Sequence, residues 1–161
     1  MSKHTLDEKS WQKCISNMPI YGIDIVIYNT RLGVLMGKRK NNPAKDKYFV
    51  PGGRVYKNET RSSAFNRILS IETGLSMSIE HSQFLGIYEH FYNESYWTAE
   101  ESTHYIIEAR LIEIKNFSNH FHISLEEQHL DFKWFNNEEV NDSDIHNYSK
   151  DYLKSIEKYS N

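Results

Sequence analysis

The segment 53–75, GRVYKNETRSSAFNRILSIETGL, constrains the fold of this chain more than any other. It follows Pro51-Gly52-Gly53, a triplet that reads as a chain breaker after the apolar Tyr48-Phe49-Val50. Thr60 is placed to cap a helix in which Ala64, Ile68, Ile71 and Leu75 recur at helical spacing, and Gly74 ends it as a left-handed cap. Glycines before such a helix let backbone approach a ligand closely, so the Gly52 carbonyl is a candidate to face a cation. Positions 68, 71 and 72 share one side of the helix, and of these only Glu72 is acidic. A lone carboxylate supports at most one hard divalent cation, the remaining ligands coming from a carbonyl, an amide, waters or a substrate phosphate. Without a motif around it, a single helical Glu is ordinarily a solvated residue.

A length of 161 residues suits one domain, 1–161, with a real core and no room for a second. Aromatic residues make up 14%, which fits a sheet-rich fold with a stacking pocket. The formal net charge of -3 argues against a dedicated nucleic-acid binder. Cys14 stands alone and forms no intrachain disulfide, which points to a reducing, cytoplasmic setting. Residues 1–17 carry Asp7 and Glu8 and no continuous apolar run, unlike a secretory signal, and no membrane span is expected.

Along the chain, Leu6, Trp11, Cys14 and Ile15 have the spacing of a short N-terminal helix. Residues 21–28 form an apolar, β-branched strand interrupted at Asp24, and 34–39 form its hairpin partner across the turn at Gly33. Two long strands, 84–92 and 103–114, flank a polar loop at 93–102. After a second loop at 116–127, residues 130–135 alternate as a strand, and Ser143 or Asp144 is placed to cap a closing helix through Tyr159 with an ordinary exposed Lys/Glu face. The sum is a mixed α/β domain with one central helix between sheet segments.

Set against the Nudix-box pattern G-x5-E-x7-R-E-U-x-E-E-x-G-U, residues 53–75 keep Gly53, Glu59, Arg67, Leu69, Glu72, Gly74 and Leu75. Ile68 and Ile71 stand where two metal-binding glutamates are expected. Beyond the box the chain resembles one Nudix branch, the GDP-mannose mannosyl hydrolases, from about Leu6 to Tyr152. The resemblance is carried by Gly37-Lys38-Arg39, residues 48–55, His90-Phe91-Tyr92, Thr103-His104-Tyr105 and Glu127-Gln128-His129. It implies a Nudix fold, a mixed β-sheet sandwiched between helices.

The resemblance also implies hydrolysis of GDP-mannose to GDP and mannose, with water attacking the anomeric carbon and inverting it. Gly52, Glu72 and Gln128 would hold one Mg²⁺ per site, with Mn²⁺ as a substitute. His129 would be the general base; Arg39, Arg54 and Arg67 would neutralise the leaving diphosphate, and Tyr105 would donate a hydrogen bond to it. Asp24 and His90 would stabilise positive charge on the sugar ring or bind its hydroxyls, Tyr92 would contact the substrate, and Trp11, with Leu6 nearby, would contact the nucleotide. A homodimer is implied as well. GDP is a good leaving group, so a metal and guanidiniums can replace the general acid of an ordinary inverting glycosidase.

Other readings stay open on the sequence. Asp24 could be a buried partner of a core arginine, Arg67 could pair structurally with Glu59, and Trp11 could simply pack its helix. His81, His104, His120 and His122 show no zinc spacing with Cys14. The loop 116–127 is longer than the branch has, and sugar choice among mannose, glucose and fucose is open. Alternative functions are a conventional pyrophosphohydrolase yielding GMP and sugar 1-phosphate, and a non-catalytic sugar-nucleotide sensor.

Overall fold

The structure, a computed structural model, describes residues 6–98, 100–115, 129–136, 138–139 and 142–157. Helix α1 (Glu8–Ile15) starts at Asp7, whose side chain accepts the Ser10 N–H at 3.0 Å. Strand β1 (Ile20–Asn29) is the spine of the domain and runs into β2 (Gly33–Arg39) through a turn in which Gly33 takes a φ of 89°. Two short strands, β3 (Tyr48–Phe49) and β4 (Gly52–Arg54), precede helix α2 (Arg61–Thr73). A 3-10 turn at Ile79–His81 leads to β5 (Gln83–Tyr92) and β6 (Thr103–Glu113), followed by β7 (His129–Phe135) and α3 (Asn147–Glu157).

The seven strands form one sheet in the order β3-β2-β1-β6-β5, with β4 paired to β1 and β7 to β2. β1 runs parallel to β6, from Ile20 opposite Tyr105 to Tyr28 opposite Glu113, and the other pairings are antiparallel. Because side chains alternate across a strand, β1 feeds both faces. Ile23, Ile25 and Ile27 pack with Ala64, Phe65, Ile68 and Leu69 of α2. Val26 faces the other way, into a core with Met36 and with Tyr152, Leu153 and Ile156 of α3. The sheet is thus a mixed one held between helices, and both cores are closed to solvent at their centres, where Leu69 on one side and Met36 on the other are 0% exposed.

Helix α2 obeys its local signals. The Thr60 hydroxyl accepts the Ser63 N–H at 3.1 Å, and Gly74 closes the helix at φ 73° while its N–H donates to Ser70. Elsewhere the structure departs from expectation. Gly52 and Gly53 do not break the chain: they form β4, paired with β1 at Asp24 opposite Gly52 and Ile23 opposite Gly53. Ile71, expected on the apolar stripe of α2, is 42% exposed. α3 begins later than Ser143 or Asp144, because 144–146 are hooked onto β3. The Asp144 carbonyl accepts the Tyr48 N–H at 2.8 Å, and the His146 N–H donates to the Tyr48 carbonyl at 3.0 Å. Gln128 and the loop 116–127 lie outside the described residues.

Pairing between β1 and β4 requires glycine. A Cβ at Gly52 would overlap the Asp24 carboxylate and come within 3.2 Å of the Ile23 carbonyl, whereas one at Gly53 would meet the Ile68 side chain at 3.2 Å. On the α2 side of the sheet, the buried Glu108 carboxylate gathers Arg61 Nε at 2.7 Å, Arg110 Nε at 2.6 Å and the Tyr21 hydroxyl at 2.5 Å. Burial alone would raise its pKa, but these donors hold it down at about 2.

Two outcomes are expected. Gly52→Ala should cost about 1–3 kcal/mol, as overpacking typically does, with Gly53→Ala costing less because the Ile68 side chain can yield; urea unfolding of both variants checks the order. Glu108 has a folded pKa below its ordinary value of 4.5, so its stabilisation is present above that pH and is lost as pH falls toward 2. Glu108→Gln should therefore lose about 1–3 kcal/mol at pH 7, and its deficit against the wild type should shrink as melting is followed down through pH 4. A deficit independent of pH would remove the carboxylate from this role.

Candidate active site

Strand β1 changes partners along its length. Its outer end pairs with β2 at Tyr28 and Asn29, and its inner end pairs with β4 at Gly22–Asp24, with the Ile25 N–H donating to the Pro51 carbonyl at 2.7 Å between them. A cleft of about 510 Å³ opens along the line of β4, α2 and the ends of β5 and β6.

One wall is basic and aromatic. Trp11, Arg54, Tyr56 and Arg67 line it as a stacked series: the Arg54 guanidinium lies 5.4 Å from the Trp11 ring and 4.9 Å from Tyr56, and that of Arg67 lies 3.9 Å from Tyr56. Arg67 is committed to Glu59 through Nε at 2.7 Å and Nη2 at 2.9 Å, and it also donates to the Arg54 carbonyl at 2.9 Å. Its visible work is to fix β4 and back the Arg54 stack. Trp11 Nε1 is buried with no hydrogen-bond partner among the described residues, and Leu6 lies at the same end of the chain and in the same cleft.

The acidic element is small. Glu72 on α2 is 5% exposed, and Asp24 on β1 is also 5% exposed. Burial lifts the Asp24 pKa to about 7, a rise that the Glu72 charge adds to and that the Tyr152 hydrogen bond and Arg39 oppose. Glu72 and the backbone of Gly52 line the same cleft, hard-oxygen donors of the kind Mg²⁺ accepts, which usually takes one or two carboxylates and keeps its waters. No group of three or more His, Cys, Asp or Glu residues suited to a metal occurs among the described residues. Ile68 and Ile71 also line the cleft, where the box pattern expects acids.

The floor is neutral and aromatic. His90, 3% exposed, stacks on Tyr148 with centroids 3.9 Å apart and planes at 4°. Burial and the neighbouring His146 push its pKa down to about 4. Tyr92 and Tyr105 meet edge to face at 5.8 Å, and burial raises both phenols. The Arg39 guanidinium lies 5.8 Å from the Phe49 ring at the same end.

Of the residues singled out in the sequence, Leu6, Trp11, Asp24, Arg39, Gly52 and Arg54 line this one cleft, together with Arg67, Glu72, His90, Tyr92 and Tyr105. The backbone of His129 opens β7 directly opposite Arg39, and Gln128 falls outside the described residues. Sequence reasoning missed Asn41, Asn42, Tyr56, Tyr96 and Trp97, which line the cleft as well. The adjacent aromatics Tyr96 and Trp97, 52% and 47% exposed in an otherwise polar loop, were the available signal.

Comparison with known proteins agrees with this geometry. Low-salt glycan biosynthesis protein Agl8 of Haloferax volcanii is 33% identical over 152 residues, spanning 94% of this chain and 91% of that protein. The fold is shared with the MutT protein from Methanosarcina mazei Go1, with a TM-score of 0.68 and 18% identity over 89% of this chain and 97% of that one. It is shared equally with the NUDIX domain of Shewanella oneidensis NrtR, solved with ADP ribose, at a TM-score of 0.62 and 15% identity over 98% and 95%. Among the described residues no helix is long and apolar enough to cross a membrane. The NUDIX domain family matches residues 18–156, nearly the whole chain, and the chain belongs to the Nudix family.

Proposed function

We propose that this Nudix hydrolase acts on a sugar nucleotide, GDP-mannose, releasing GDP and mannose by attack of water at the anomeric carbon with inversion. The observation that carries the reading is the composition of the α2 face in the cleft, where Glu72 stands beside two isoleucines. Ile68 is 2% exposed and belongs to the core, but Ile71 is 42% exposed and an acid there would cost the fold little. A site limited in carboxylates suits one cation and a reaction that does not need several metals at phosphorus. The sequence resemblance to the mannosyl hydrolases and the likeness to a glycan biosynthesis protein favour a sugar nucleotide, and the relative solved with ADP ribose favours a nucleoside diphosphate linked to a sugar.

In this reading Glu72, the Gly52 carbonyl and Gln128 would hold Mg²⁺, or Mn²⁺ in its place. Bound there, the cation would draw negative charge onto the diphosphate oxygens. Arg39 and Arg54 stabilise the charge that the departing diphosphate gathers, most strongly as the glycosidic bond lengthens. Arg67 contributes through its grip on β4. Tyr105, kept protonated by burial, donates to a phosphate oxygen. Asp24 faces the oxocarbenium character that develops on the sugar, and His90 and Tyr92 bound its ring. His129 takes the proton from the attacking water, and Trp11 and Leu6 cover the nucleotide. A homodimer belongs to the same reading, and sedimentation velocity tests it.

Incubation with GDP-mannose and Mg²⁺ in heavy-oxygen water should place the label in mannose and release GDP. Label in GMP, with sugar 1-phosphate as co-product, would make the chain a conventional pyrophosphohydrolase, and tight binding without turnover would make it a sensor. Glu72→Gln should weaken Mg²⁺ in a calorimetric titration by about 10-fold or more, in line with the loss of a charged ligand. An unchanged titration would take Glu72 out of the metal site.

A further inference from the structure

Helix α3 reads in sequence as an ordinary amphipathic cover, yet it sends one polar atom to the centre of the domain. Tyr152 is 0% exposed, and its hydroxyl lies 2.7 Å from Asp24 Oδ2 and 3.1 Å from His90 Nε2. Three elements distant in sequence, β1, β5 and α3, meet at this oxygen. When Asp24 is ionised it only accepts: the phenolic proton goes to Oδ2, and the phenolic oxygen is left to accept from the His90 Nε2–H. Burial keeps the His90 ring neutral, so it carries a single ring proton. The ring is fixed in place by its stack on Tyr148. The other Asp24 oxygen, Oδ1, lies against Gly52, where no side chain intervenes.

We propose that Tyr152 is a positioning residue: through a one-way relay from His90 Nε2–H to Tyr152 to Asp24 Oδ2, it holds Asp24 so that Oδ1 is presented to the glycine strand and the cleft. The contacts of the relay stand on geometry and its direction on an ionised Asp24, while its consequence for turnover rests on the mannosyl-hydrolase reading. Tyr152 is well suited to this task because its ring is locked independently of its hydroxyl, packing edge to face on Tyr88 at 4.8 Å. Tyr152→Phe therefore removes the donor and keeps the wedge.

With GDP-mannose and Mg²⁺, Tyr152→Phe should lower kcat about 10–100-fold, the scale of a misplaced catalytic group, and leave KM within about twofold. In an Asp24→Asn background the same change should cost little more, since both act on one unit. Tyr88→Phe, which removes a hydroxyl bonded to Ser155 on the same helix, should leave kcat unchanged. Independently of any substrate, the ¹⁵N spectrum of His90, taken well above pH 7 where Asp24 is ionised, should show the Nε2–H tautomer in the wild type and a shift toward a tautomer mixture in Tyr152→Phe. A wild-type kcat in Tyr152→Phe, losses that multiply with Asp24→Asn, or an Nδ1–H tautomer in the wild type would each overturn the proposal. A wild type that yields GMP, or no product, would overturn the functional reading alone, and the His90 spectrum would then decide the relay.

Discussion

The cleft depends on one close approach, that of Gly52 on β4 to Asp24 on β1. Antiparallel pairing sets these two residues opposite each other, and the absence of a side chain at Gly52 lets the carboxylate lie against the backbone. The next pair, Ile23 opposite Gly53, lets α2 settle over the strand through Ile68. Backbone, acid and helix are thereby brought together without a loop between them. Arg67 fastens the same strand from the far side by holding the Arg54 carbonyl while Glu59 holds Arg67. A site built on strand pairing is stiffer than one hung on a loop, which is where precise chemistry is best placed.

Much of this was legible because the signals were local. The Thr60 and Gly74 caps and the hairpin turn at Gly33 are each set by a few neighbouring residues, and the structure shows them. The mixed sheet between helices was implied by the family resemblance, whereas the alternation of apolar segments and the box helix pointed only to a mixed α/β domain with one central helix between sheet segments. β4 was not legible, because two glycines after a proline look like a breaker until a partner strand is available to pair with them. Ile71 misled for a related reason: spacing identifies the side of a helix but not whether that side meets core or cleft. The start of α3 was misplaced because residues 144–146 are claimed by the backbone of Tyr48, a contact across almost the whole chain. Among the site residues, family resemblance drew attention to side chains that the fold gathers from α1, β1, β2, β5 and β6, but it gave no sign of Tyr152 or Tyr148. Their role is written in tertiary contact, and periodicity alone marks them as cover.

The distribution of charge in the cleft follows from what is buried where. His90 and His146 sit in aromatic surroundings that push both pKa values down to about 4, burial being the larger cause in each. At neutral pH neither adds positive charge to the floor, and the Tyr92 and Tyr105 phenols stay protonated. Positive charge is left to the guanidiniums of Arg39 and Arg54, and negative charge to Glu72 and, above its raised pKa of about 7, to Asp24. For a reaction in which a diphosphate leaves with electrons while a sugar turns cationic, that separation is the useful one. Cations beneath the sugar would oppose bond breaking, and carboxylates beside the diphosphate, unscreened by a metal, would oppose it equally. A histidine floor held neutral by burial avoids the first difficulty, and an α2 face with isoleucine at 68 and 71 limits the second.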